Sequence, residues 1–174
     1  MKNDSLFQGR KLEGCPGRVN RLTSHRIVIN FWYQGTQIPG VRMTDDELIR
    51  QFEDLTLDPT TFHHREHVRL AFAYLRRYDL FVALERYRSG LKRLAAHHGA
   101  PRKYHETVTC GLLVLIHERM ITRAGADSWE GFVKANPDMV RWLDGAFFDY
   151  YSRDVLTSDI ARSTFVLPHR EFTR

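Results

Sequence analysis

A chain of 174 residues, 43% of them hydrophobic and 27% charged, is long enough for one domain with a real core. No apolar run approaches the roughly 20 residues of a membrane-spanning helix. The longest run, Gly111 to Ile116, suits a buried helix segment. The formal charge of +5 hints at nucleic acid until it is divided along the chain. Residues 1–42 hold seven Lys or Arg against two acids, and residues 43–174 hold nineteen of each. From Met43 onward nothing draws the chain to phosphate, so nucleic acid is not an expected partner. Cys15 and Cys110 lie too far apart in sequence to suggest a zinc motif. The N-terminus has no apolar h-region, so a cytoplasmic location without a membrane partner is expected.

Residues 1–42 are rich in Gly, Arg and Asn and show no helical period. Arg26 to Tyr33 could form a strand, but no partner strand is evident. This stretch reads as an extension, weakly ordered or not part of the native domain, with Met43 as a candidate start. Residues 43–174 then read as a helical domain. Thr44 and Glu47 predict the N-cap and capping box of a helix over 45–54, with Leu48 and Phe52 inward. After the break at Asp58-Pro59, Thr60 or Thr61 predicts the cap of a second helix over 62–77. Asp79 predicts the cap of a third over 80–98, with Phe81, Leu84, Tyr87, Leu91 and Leu94 inward. Gly99-Ala100-Pro101 ends it. A fourth follows over 103–123, then a short one capped by Ser128. A sixth is expected over 138–151, after Asn136-Pro137, and a last short one over 156–162. Short connections between helices predict an all-α fold, an irregular antiparallel bundle of five to seven helices.

On these helices three histidines stand where leucines would ordinarily stand. His64 lines up with Val68, Ala71 and Leu75, and His67 with Ala71 and Tyr74. His105 lines up with Thr109, Leu112 and Ile116. Buried imidazoles are costly unless their nitrogens are satisfied. Three neutral imidazoles suit zinc, iron, nickel or copper, and three protein ligands leave a coordination position open for water or substrate. Lys103, Tyr104, Thr107 and Thr109 are the candidates for supporting or ligand-binding groups. Lys103 stands where a helix N-terminus would help it hold an anion. Glu66 and Glu106 fall one residue off the inward histidines, on the solvent flank. Cys110 reads as a small buried hydrophobe. The chain carries no glycine-rich phosphate loop, no His-Glu-x-x-His and no pair of Glu-x-x-His motifs.

Two motifs, Phe62-x-His64-x-x-His67-Val68-Arg69-x-Ala71 and Gly99-x-Pro101-x-Lys103-Tyr104-His105-x-Thr107-x-Thr109, resemble a family of small bacterial proteins whose reaction is uncharacterised. Tyr151-Ser152, Leu156-x-Ser158 and Phe165-Val166-Leu167-Pro168 are similar to it too. The resemblance covers residues 43–170 and begins about where Met43 does. The family often has an aromatic at position 110 and Asp at position 169, where this chain has Cys110 and His169. The resemblance implies no reaction. The functional expectation is an internal site of His64, His67 and His105 for a divalent transition metal. The alternative is a non-catalytic small-molecule-binding or interaction module whose histidines only hold the core.

Overall fold

Helix formation begins where the caps dictate. In the computed structural model, which describes residues 43–123, 125–142 and 145–168, Thr44 Oγ1 accepts from the Glu47 N–H at 3.1 Å and opens α1, Asp45–Glu53. The expected extension over residues 1–42, with its strand, lies outside the described residues. Asp79 caps α3, Leu80–His97, accepting from Phe81 and Val82 N–H groups at 3.0 and 3.1 Å. Both caps satisfy donors that the first turn of a helix leaves without a partner. Between them lies α2, His64–Arg77. The chain continues through α4, Glu106–Thr122, α5, Trp129–Ala135, α6, Arg153–Thr157, and α7, Asp159–Ser163. Two 3-10 turns, Pro101–Lys103 and Ala146–Asp149, complete an all-α bundle.

α2 and α4 form its centre. α2 packs against α1, α3 and α4, and α4 also receives α7. The two helices bury differently patterned faces. Every α2 residue from His67 to Leu75 except Arg69 is buried. In α4 the first five residues, Glu106 to Cys110, are all buried, as are Leu112, Leu113, Leu115 and Ile116. A helix apolar on most sides belongs in the interior. Phe52 of α1 ties the layers together, with ring centroids 6.0 Å from Tyr74 on α2 and 6.4 Å from Tyr87 on α3.

Several expectations need correction. α2 starts at His64 with His63 as its N-cap, because Thr60 is drawn into a turn by the Asp58 carboxylate instead. Phe81 is 78% exposed. The buried stripe of α3 runs through Ala83, Tyr87, Gly90, Leu91 and Leu94, and Phe81 stands on the opposite side of that wheel. The fourth helix begins at Glu106, not Lys103. Residues 138–151 are not one helix. After Pro137 the chain turns, and the Ala146 N–H reaches back to the Asp138 carbonyl at 3.3 Å. The last expected helix is two short ones that share Ser158 as C-cap and N-cap.

Gly90 lets α3 approach α1. A Cβ at this position would stand 2.3 Å from the ring of fully buried Phe52. Alanine favours a helix over glycine by about 1 kcal/mol, but overpacking a filled core costs about 1–3 kcal/mol. Gly90→Ala is therefore expected to lower the melting temperature despite its better helix propensity, as read from a thermal melt. A rise would show that the Phe52 ring yields freely.

Candidate functional site

The α2 N-terminus and the start of α4 bring the histidines inside and then give them different work. The His64 ring lies 5.2 Å from that of Trp142, and its Nε2–H donates to the Met139 carbonyl at 2.9 Å. That carbonyl is available because residues 137–140 form turns and do not continue a helix. Burial lowers the His64 pKa to about 4, with the Met139 bond opposing the shift. His105 is not on a helix face. It is the N-cap of α4, and its Nδ1 accepts from the Val108 N–H at 3.3 Å. Its Nε2–H donates to the Leu156 carbonyl at 2.9 Å. Leu156 is in the last turn of α6, where carbonyls lack helical partners. Both His105 nitrogens are thus engaged. Burial holds its pKa below the usual imidazole value, helped by the nearby Arg162 charge.

His67 alone of the α2 pair faces open space. Its ring packs on Phe62 with centroids 4.0 Å apart. Burial, then the neighbouring His64 and His63, hold it well below the ordinary imidazole range. Beside it lies a cavity of about 240 Å³ between α2, α3 and the start of α4. Phe62, Leu91, Leu94 and Ala95 give it apolar walls, and His67, His98, Lys103, Tyr104, His105 and Thr109 its polar lining. Five residues named from the sequence therefore meet at one cavity. His64 is turned away, and Thr107 serves another purpose. Its hydroxyl donates to the Thr164 carbonyl at 2.8 Å and accepts from the Val166 N–H at 3.0 Å, pinning the C-terminal strap to α4. A larger groove of about 600 Å³ near α1 and α2 is more open to solvent, and its Arg69 and Arg77 are already paired with Asp45 and Asp46. It reads as a solvated ion-pair surface.

The expected three-imidazole centre is not assembled. Among the described residues no group of three or more His, Cys, Asp or Glu side chains stands in a position to hold a metal ion. His105 has no ring nitrogen to spare, with Nδ1 accepting from Val108 and Nε2–H donating to Leu156, and His64 lies outside the cavity that His67 and His105 share.

Glu106 is the residue that sequence reasoning placed wrongly. With α4 starting at position 106, its phase could not be taken from His105. Its carboxylate is buried and receives Arg88, Lys92 at 2.9 Å and the Tyr104 hydroxyl at 3.0 Å. Burial pushes its pKa up, but the Arg88, Lys92 and Tyr104 bonds together bring it below the usual carboxylate range. The helix N-terminus favours the anion as well. The signal that could have found it is Arg88 and Lys92, one turn apart on α3, needing a buried acid opposite. Tyr104, whose ring borders the cavity, is held protonated by burial and by Glu106. The Cys110 thiol, 3.7 Å from Glu106, is pushed up to about 11 by burial and then by that carboxylate, so it is a poor nucleophile.

Comparison with protein-family models, with curated proteins and with solved structures finds no match to this chain.

The buried imidazoles make stability depend on pH. The folded state holds His64, His67 and His105 neutral, whereas the unfolded chain titrates them near 6.5. From pH 6.5 to 5 the unfolded state binds more protons, so stability falls as pH falls, by up to about 1.4 kcal/mol per pH unit for each ring. Glu106, also held low, adds its loss mainly below that window. Urea melts from pH 7 to 5 are expected to show this slope, and His67→Leu to reduce it. Stability that stays flat over the window would contradict buried neutral histidines.

Proposed function

We propose that this chain binds a small organic molecule in the cavity between α2, α3 and the start of α4. The observation that carries the reading is convergence. His67 on one side and Lys103, Tyr104, His105 and Thr109 on the other, far apart in sequence, border one apolar-walled cavity. An apolar space with a few polar groups is the usual form of a ligand site. At about 240 Å³ it exceeds the roughly 150 Å³ that accommodates benzene. It falls just under the usual range of about 300–1,000 Å³, which favours a ligand of one or two rings, or a short branched chain.

Binding fits the chemistry of the lining better than catalysis does. A general acid or base works best with a pKa near the working pH. Here the His67 ring is held far below it, Tyr104 far above it, and the nearby Cys110 thiol at about 11. A zinc, iron, nickel or copper site on His64, His67 and His105 would have to break a His105 hydrogen bond, either to Val108 or to Leu156. The balanced charge from Met43 onward favours a small-molecule partner over nucleic acid. No helix among the described residues is long and apolar enough to cross a membrane, and a cytoplasmic setting belongs to the same reading.

A thermal-shift panel of compact aromatic and branched aliphatic compounds tests it. At least one compound is expected to raise the melting temperature saturably, since ligand at 100 times its Kd adds about 2.7 kcal/mol. Ala95→Trp, which fills the cavity from the α3 side, is expected to stay folded by circular dichroism and to lose the response. No response from any compound, or an equal response from the filled variant, would overturn the reading.

A further inference from the structure

We infer that the cavity takes an uncharged ligand, held through its hydrocarbon surface and selected against ions of the same shape. The inference rests on the small-molecule reading above and adds the ligand's charge class to it. The observation that carries it is that the polar residues of the lining are already engaged within the protein. Both His105 nitrogens are taken, by the Val108 N–H and the Leu156 carbonyl. The Tyr104 hydroxyl donates to Glu106 at 3.0 Å and accepts from the Thr109 hydroxyl. Lys103 and His67 each have an interaction of their own. His98, at the exposed end of α3, has the His97 ring 5.1 Å away and the Asp58 carboxylate close by.

The charges behind the lining also close on themselves. Arg88 pairs with Glu85 at 3.6 Å and with Glu106, and Lys92 pairs with Glu106 at 2.9 Å. Two acids answer two bases, so neither sign is left in excess on that side. An ion in an apolar space is costly unless a partner of opposite sign meets it. The lining holds no Asp or Glu, so a cation would find no carboxylate there. An anion would have to draw Lys103 out of its present contact or stop at His98, on the solvent edge beside Asp58. His67 and His105, both held neutral, answer neither sign. A neutral molecule avoids these costs and still gains the Phe62, Leu91, Leu94 and Ala95 walls.

Matched sets of compounds separate this claim from the one beneath it. Toluene, benzoate and benzylammonium have similar shapes and differ in charge, as do 3-methylbutan-1-ol, 3-methylbutanoate and 3-methylbutylammonium. Calorimetric titration of the full chain at pH 7.5 is expected to give at least one neutral compound a Kd about 10-fold or more below both of its ions. Thr109→Val is expected to bind 3-methylbutan-1-ol within about threefold of the parent protein, because the Thr109 hydroxyl is turned to Tyr104 and not to the ligand. If an ion binds as tightly as its neutral partner, and both are lost in Ala95→Trp, the cavity binds small molecules but the charge inference is wrong. A loss of about 10-fold or more for the alcohol in Thr109→Val also overturns it, since a lining hydroxyl would then be holding the ligand's polar end. If no compound of either set binds, both readings fall together.

Discussion

Two buried imidazoles hold the C-terminal third of this protein to its helical centre. His64, at the start of α2, and His105, at the start of α4, each donate an Nε2–H to a backbone carbonyl far along the chain. Each bond needs the proton on Nε2. For His105 the tautomer follows from the Val108 N–H, which needs an acceptor at Nδ1 and leaves the proton on Nε2. Each acceptor is a carbonyl left without a helical partner, Met139 by a turn and Leu156 by the end of a five-residue helix. The irregular backbone of the C-terminal region and the polar residues of the core thus satisfy each other. Without the imidazoles those carbonyls would be buried without partners, at about 1–3 kcal/mol each.

The cavity follows from this division of labour. With His64 bound to Met139 and His105 tied to Leu156, what remains beside Phe62 and α3 is a space walled by apolar side chains and edged by His67, Tyr104 and Thr109. Glu106 shapes its electrostatics from behind. Its carboxylate joins α4 to α3 through Arg88 and Lys92 and fixes the Tyr104 hydroxyl. Glu85 also pairs with Arg88, at 3.6 Å, so two acids answer two bases behind the cavity.

The sequence revealed the fold more readily than the site. Thr44, Asp79 and Ser128 cap the helices they were expected to cap, because a side-chain oxygen beside orphan N–H groups is a local interaction, visible in a few residues. The stripe of α3 was partly misread, since Ala83 and Gly90 give it close approach and Phe81 does not join it. The histidines were rightly placed indoors, yet their partners were not legible. Met139 and Leu156 lie 75 and 51 residues away, and they accept through backbone atoms that no side-chain pattern announces. Treating His105 as a helix-face residue carried the error to Glu106. The helix starts three residues later than expected, at Glu106, and the acid read as solvent-facing is buried. The irregular stretch at 138–151 was also hidden, because its aromatic residues repeat at intervals that suit a helix as well as a set of turns.

The most direct measurement is the nitrogen spectrum of the imidazoles. Long-range proton–nitrogen correlation on uniformly labelled protein at pH 7 reports which ring nitrogen carries the proton. His64 and His105 are predicted to show a protonated Nε2 and an unprotonated Nδ1, with His64 unchanged down to about pH 5 because its pKa lies near 4. Added zinc should leave both patterns in place. An Nδ1–H tautomer at either residue, a doubly protonated His64 ring at pH 6, or a shift of both rings on one equivalent of zinc would contradict the account.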